Sequence, residues 1–380
     1  MEQRLKEVLE NRGENYILPF YWQHGESGEL LEEGMEKIHE SGIGAVCVES
    51  RPHPDFLGER WWQDMDIILA KAKELNMRVW VLDDAHFPSG YCNGQVSEDS
   101  PYGKVYLTHY TIDAVGPVQG HAFMIKVEPD ERLIGVTLSK RDRRESFYQT
   151  EVKDVTSLVR EGKVYLDIPE GVWAVTVMKT SKRGSGRKGY INPIDKSAVR
   201  FFIDTVYEAH YQRYAADFGD TFAGFFSDEP EIGNCVGEYV HDSYIGQPTM
   251  SLPWSQELEE RLQTLWGNKF VINLLAMWVN VDKYVSEKES VAGNFGEMSE
   301  NAGLFPKGNS VGFSDNRPEW NHVPKGWTER TYLEQKKETN QTGLLRRQFM
   351  EVVSDLYGTH FTTQIGDWCR EHGVEYIGHV

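Results

Sequence analysis

Cysteine is scarce in this sequence: four in 380 residues, Cys47, Cys92, Cys235 and Cys369, widely spaced and without a C-x-x-C pair. Such spacing argues against a zinc knuckle or a dense disulfide framework, and reduced thiols are expected. A glycine-rich phosphate-cradling loop and a nucleophile elbow are also missing, which removes two common routes to nucleotide binding and serine-type hydrolysis. Cations are the minority charge, 40 Lys and Arg against 59 Asp and Glu, for a formal net charge of −19 at pH 7. Nucleic acid is therefore not expected as a partner, because binding it depends on cationic side chains that displace condensed counterions. No apolar run approaches the roughly 18 residues of a membrane span, and charges are spread through residues 1–10, so no membrane partner and a soluble, cytoplasmic protein are expected.

What the sequence does have is a set of short apolar runs that each break off into acids, histidines and aromatics. Residues 17–24 end in Tyr21, Trp22 and His24; 45–53 in Glu49, Arg51 and His53; 79–86 in Asp83, Asp84 and His86; 222–229 in Asp228 and Glu229; and 376–380 contain His379. A buried strand that turns polar only at its C-terminal end suits a parallel α/β sheet or barrel, where ligands bind beyond that edge. Carboxylates, imidazoles and rings gathered there point to acid/base chemistry on a polar substrate such as a sugar.

Leu30, Leu31, Met35 and Ile38 recur at helical spacing between the first two runs, as do Trp61, Met65, Ile68, Ala72 and Leu75 between the second and third. Residues 1–103 therefore read as three β/α units. Short alternating runs from 105 to 178 predict an inserted antiparallel β module over 104–181. Residues 182–189 read as an exposed loop whose basic side chains are simply solvated. Asp195 is a candidate N-cap for a helix that carries Val199, Phe202, Ile203, Val206, Tyr207 and Tyr214 on one face. From 182 to 380 the barrel pattern resumes with a fourth and a fifth strand, interrupted by a long loop at about 232–342 that includes a helix around 255–278 and a Gly-, Asn- and Pro-rich segment. Five parallel strands do not close a barrel. The expected fold is α/β, a (β/α)8 TIM-barrel type truncated after the fifth strand, with the C-terminal remainder of the polypeptide missing. An open doubly wound sheet is the competing reading.

Glu229 is the candidate proton donor. Pro230 disfavours the helical region for the residue before it, so Glu229 is expected to be extended at the strand mouth. There Asp228 and an apolar surround from Phe225 or Phe226 should raise its pKa. A bland reading is that Asp228 or Glu229 caps a turn. Strand alternation sends Asp83 and Asp84 to opposite sides, so that at most one lines a pocket while the other ties down a loop. With His86 and Glu49 they also suggest a divalent cation site, although hydrogen bonding to sugar hydroxyls explains the same residues and no metal ligands are assigned. Arg51 and His53 are placed to orient Glu49, or to form a structural salt bridge. Tyr21 and Trp22 offer a platform for the C–H faces of a sugar, and His24 and His379 stand at strand ends.

Taken together, residues 20–24, 48–56, 82–90, 189–195, 225–230 and 376–380 resemble large bacterial glycosyl hydrolases, in particular the α-L-rhamnosidases of glycoside hydrolase family 106. That resemblance implies a (β/α)8 catalytic domain followed by β-sandwich modules, inverting hydrolysis with a glutamic general acid matched by Glu229, and Ca2+ as an accessory at the sugar hydroxyls rather than a required cofactor. It does not supply the second carboxylate. The expectation is a glycosidase acting on a plant or microbial oligo- or polysaccharide, inactive as an isolated fragment. A metal-dependent barrel isomerase or hydrolase using Asp83, Asp84, His86 and Glu49, and a carbohydrate-binding protein without turnover, are the alternatives.

Overall fold

The computed structural model of the protein describes residue 6 and residues 17–97, 99–141, 148–184, 187–232, 245–246, 250–281 and 340–379. The Gly-, Asn- and Pro-rich segment and Cys235 lie outside them. The structure is mixed α/β, with one parallel and one antiparallel five-stranded sheet.

The parallel sheet contains β1 (Phe20–Gln23), β2 (Ala45–Ser50), β3 (Arg78–Leu82), β8 (Phe222–Ser227) and β10 (Glu375–Gly378), side by side in chain order. Each strand is joined to the next through helix: α1 (Gly28–Glu40), α2 (Glu59–Glu74), the α3–α4 run (Lys196–Phe202 and Glu208–Tyr214 around a π turn, Ile203–Tyr207), and α7–α8 (Asn340–Tyr357 and Gln364–Glu371 around a second π turn). The predicted stripes are buried except at Leu30, which is exposed, and at Ile38 and Leu75, which are half-buried. Leu31 and Met35 of α1, Trp61, Met65, Ile68 and Ala72 of α2, and Val199, Phe202, Ile203 and Val206 are all 1% exposed or less. Asp195 caps α3 as expected, its Oδ1 accepting from Ser197 N at 2.9 Å and Ala198 N at 3.0 Å.

Helices α1, α2, α3, α4 and α8 pack into one core with Val46, Val48, Val79, Val81, Phe222 and Phe225, on a single face of the sheet, while the buried residues of α7, Leu345, Phe349, Val353 and Leu356, belong to a second core. The other face carries a small cluster of Ala45, Cys47, Trp80, Leu82, Ala223 and Phe226. A doubly wound sheet has helices on both faces; among the described residues this one does not. The helix-free face is concave: Phe20 on β1 meets Phe226 on β8 with ring centroids 5.2 Å apart. In a flat sheet those strands, three spacings apart, would be roughly 14 Å apart.

The antiparallel sheet has the order β6-β5-β7-β4-β9, with β4 (Val105–Met124), β5 (Arg132–Arg141), β6 (Gln149–Asp154), β7 (Lys163–Ser181) and β9 (Leu252–Trp254). The alternating runs expected at 164–168 and 173–178 are parts of one long strand, β7, paired with β4 along its length. Register shifts near Gly116 and Val118 bend this ribbon, and Phe123, Val164 and Leu166 at its far end join Val136 and Leu138 of β5 in a shared core. β9 comes from the second interruption of the β/α alternation and closes the sheet on the β4 side. Its N-capped successor, α5 (Gln256–Trp266), packs with α6 (Phe270–Leu274) and α7 in a further core that includes Leu252 and Trp254. No helix among the described residues is long and apolar enough to cross a membrane.

Candidate functional site

The C-terminal ends of the parallel strands meet on the concave face, and strand parity decides which side chains reach it. On β1, Trp22 faces the open side and is 51% exposed, while Tyr21 turns to α1, where its hydroxyl donates to Leu31 O at 3.1 Å and burial pushes its pKa up to about 12. On β2, Glu49 follows Ala45 and Cys47 onto the concave face. On β8 parity alone would send Ser227 there, but the chain carries an extra residue. Val79 pairs with Phe222 and Trp80 with Gly224, leaving Ala223 as a bulge. The bulge turns Phe226 and Asp228 to the concave side and Ser227 to the helices.

Glu49 is 2% exposed and is held by two donors: Arg51 Nη1, 2.5 Å from its Oε1, and the Trp22 indole. Its pKa is nevertheless raised, first by burial, with the nearby Asp228 charge adding to the rise against the pull of Arg51 and Trp22. Arg51 lies 5.0 Å from the centroid of the Trp22 ring and 5.5 Å from that of Phe87. Below them Cys47 is fully buried, its thiol pushed well up by burial and by the charges of Glu49, Asp83 and Asp228.

Asp228 is 9% exposed and pairs with His379, Oδ1 to Nδ1 at 2.9 Å. Its main chain is clamped by one serine: Asp228 N donates to Ser89 Oγ at 2.8 Å, and Ser89 N donates to Asp228 O at 3.0 Å. Glu229, the expected acid, is placed differently from the sequence reading. It is exposed, and its φ of +42° puts it in the left-handed region instead of the extended one. The chain must reverse there, between the clamped Asp228 and Glu231, whose N–H donates to Tyr190 OH at 2.8 Å. On the concave face the buried carboxylates are Glu49 and Asp228, not Glu229.

Asp83 and Asp84, expected to contact substrate, are both wholly buried. Asp83 points to the helix side and accepts from the hydroxyls of Ser89, Ser227 and, at 2.5 Å, Tyr207; burial raises its pKa to about 7 despite these donors. Asp84 accepts four main-chain N–H bonds, from Ala85 and Gly90 at 2.7 Å, Cys92 at 2.9 Å and Asn93 at 3.0 Å. It therefore holds the loop that carries Ser89. Gly90 in that loop has φ +132°, and a Cβ there would sit 2.3 Å from the Tyr190 ring. His53 is buried against α2, its Nε2 2.9 Å from Asp64 Oδ2, and so does not orient Glu49. His86 is exposed, tilted 4.2 Å from Tyr91, and His24 pairs with Glu26 at 3.0 Å, both to the side of the Glu49–Asp228 centre.

The donor set proposed for a divalent cation does not fit one. The lone pairs of Asp83 and Asp84 are taken by protein donors, and among the described residues no group of three or more His, Cys, Asp and Glu could hold a metal ion. Sequence reasoning passed over Ser89 and Ser227, which position the acids across long sequence separations. A cleft of about 1260 Å³ is lined by Tyr102, Phe201, Arg200, Glu257, Arg261 and His360. Two ion pairs lie in it, His360–Glu257 and Arg261–Glu257, both at 2.8 Å, and none of the strand-end residues lines it.

No family model matches the chain, and no curated protein matches it. Among solved structures the chain is similar to a rhamnosidase from Novosphingobium sp. PP1Y, with 9% identity and a TM-score of 0.48, over 96% of this chain and 46% of that one. The chain thus spans less than half the length of that protein, and a likeness at this level carries no argument about activity.

Proposed function

We propose that the protein is a glycoside hydrolase whose active centre lies at the C-terminal edge of the parallel sheet, with Glu49 as proton donor. The observation that carries this reading is a pair of enclosed carboxylates, Glu49 and Asp228, presented by two different strands on one concave face beside an exposed tryptophan. A buried carboxyl with a raised pKa keeps its proton closer to neutrality, as protonation of a leaving glycosidic oxygen requires. Trp22 offers an apolar face to the C–H side of a sugar ring. Strands in chain order, helices on one face and the curl of the sheet support an arc of a (β/α)8 barrel, whose sites lie at this edge. The substrate class is an oligo- or polysaccharide, and α-L-rhamnosides come first because of the motif resemblance.

The test is hydrolysis of a panel of aryl glycosides, α-L-rhamnoside included, by the full-length gene product and by its Glu49→Gln and Glu229→Gln variants. Cleavage of one glycoside, lost by about 10²-fold or more in Glu49→Gln and largely kept in Glu229→Gln, is the expected result. Equal activity in Glu49→Gln and the parent overturns the assignment. The reverse pattern returns the acid to Glu229.

A further inference from the structure

The partner of Asp228 has chemistry of its own. A carboxylate only accepts, so the 2.9 Å contact fixes the proton on His379 Nδ1 and leaves the lone pair on Nε2, at the far side of the ring. The His379 side chain is 60% exposed, whereas that of Asp228 is 13% exposed. The imidazole is seated from two directions, Nδ1 on Asp228 and the ring edge-to-face on Phe226 at 5.0 Å, while the main-chain N–H of His379 donates to Ser227 O at 3.0 Å and fixes the backbone that carries it. Asp228 is in turn fixed by Ser89 at both its N–H and its C=O. A carboxylate-oriented imidazole with a solvent-side nitrogen is the arrangement of a general base held in one tautomer. Asp228, largely enclosed and with one oxygen committed to the imidazole, is less suited to reach a water itself.

We propose that His379 Nε2 is the proton acceptor of this site and that Asp228 is the positioning residue that fixes its tautomer; the inference rests on the glycosidase reading above. A water oxygen forms the bond to the anomeric carbon and its proton passes to Nε2. The bond from that carbon to the leaving oxygen breaks as Glu49 delivers its proton there. Imidazolium then loses its proton to solvent, and Glu49 regains one from solvent.

Two measurements test this. In 15N NMR of the uniformly labelled protein, the neutral His379 ring should be the Nδ1–H tautomer, and Asp228→Asn should shift it toward Nε2–H; an Nε2–H tautomer in the parent overturns the proposal. On whichever aryl glycoside is cleaved, His379→Ala should lower kcat by about 10²–10⁴-fold with KM changed much less, and added imidazole should restore part of the rate. Full activity in His379→Ala together with an inactive Glu49→Gln overturns this inference and leaves the glycosidase reading intact. Absence of any glycosidase activity in the folded parent overturns the glycosidase reading, and the water-activating role of His379 with it, whatever the tautomer.

Discussion

Asp83 is enclosed on every side and linked to three hydroxyls, and its pKa of about 7 makes it a contributor to stability with a definite sign. The folded state holds its proton through a range in which the unfolded chain has lost it. The stability this confers is complete below about pH 4, the ordinary range for Asp, and is lost as pH rises through 7. In Asp83→Asn that slope should vanish, so the change in stability between pH 5 and pH 8, read from denaturant titrations, should differ between the two proteins by about 3 kcal/mol at most. A slope unchanged by the substitution contradicts the assignment. Trp22→Ala should weaken sugar affinity by calorimetry and, because it removes the indole bond to buried Glu49, lower stability by about 1 kcal/mol. What was legible in the sequence was position: Trp22 and Glu49 stand near the C-terminal ends of parallel strands, as read. The sequence reading misled at Glu229, because the expectation from Pro230 did not include the Ser89 clamp, a contact 139 residues away in sequence. It was incomplete at Asp83 and Asp84: alternation separated them correctly, but the hydroxyls and the loop N–H groups that enclose both come from residues that adjacency cannot identify.

At the scale of the element, the site depends on one inserted residue. Without the bulge at Ala223, strict alternation would turn Ser227 to the concave face and Asp228 into the helix layer. The neighbouring Gly224 allows the close approach of β10: a Cβ there would lie 2.2 Å from Glu375 O, and both partners are main chain. Gly224→Ala should therefore part β8 from β10, lower the melting temperature clearly and disturb His379, whereas Gly44→Ala, where φ is also not positive and nothing lies within 4 Å of the added carbon, provides the comparison without a clash. The helices were legible from their stripes and from the Asp195 cap; Asp195→Ala should cost about 1 kcal/mol. The π turns at Ile203–Tyr207 and Gly358–Thr363 were not, because an inserted residue within a helix leaves the apolar pattern nearly intact. β6 was missed for a plainer reason: Gln149–Asp154 is mostly polar and pairs at the edge of its sheet, where little burial imposes a pattern.

Across the whole molecule, the chain-order parallel sheet, its single layer of helices and its curl place the ends of the strands around one concave mouth, and the antiparallel sheet is tied to it by short main-chain contacts. Lys104 N donates to Tyr190 O at 3.1 Å and Asn192 N to Tyr102 O at 2.9 Å, while the Asn192 amide donates to Trp254 O at 2.8 Å. These links end beside the loop that carries Ser89, since Tyr190 OH donates to Ser89 O. The alternation of strand and helix was readable from hydrophobic period alone; the curl and the joining of β9 to a distant sheet were not, because both depend on pairings that local pattern does not specify. The central claim is that Glu49, at this mouth, donates the proton to a leaving group, and leaving-group dependence tests it most directly. Rates for Glu49→Gln and the parent should be compared on glycosides of one sugar whose aryl leaving groups range from a dinitrophenol to phenol itself. A defect near unity on the dinitrophenyl glycoside that grows to 10²-fold or more on the phenyl glycoside is the predicted result. A defect that is the same across the series, or absent, contradicts Glu49 as the acid.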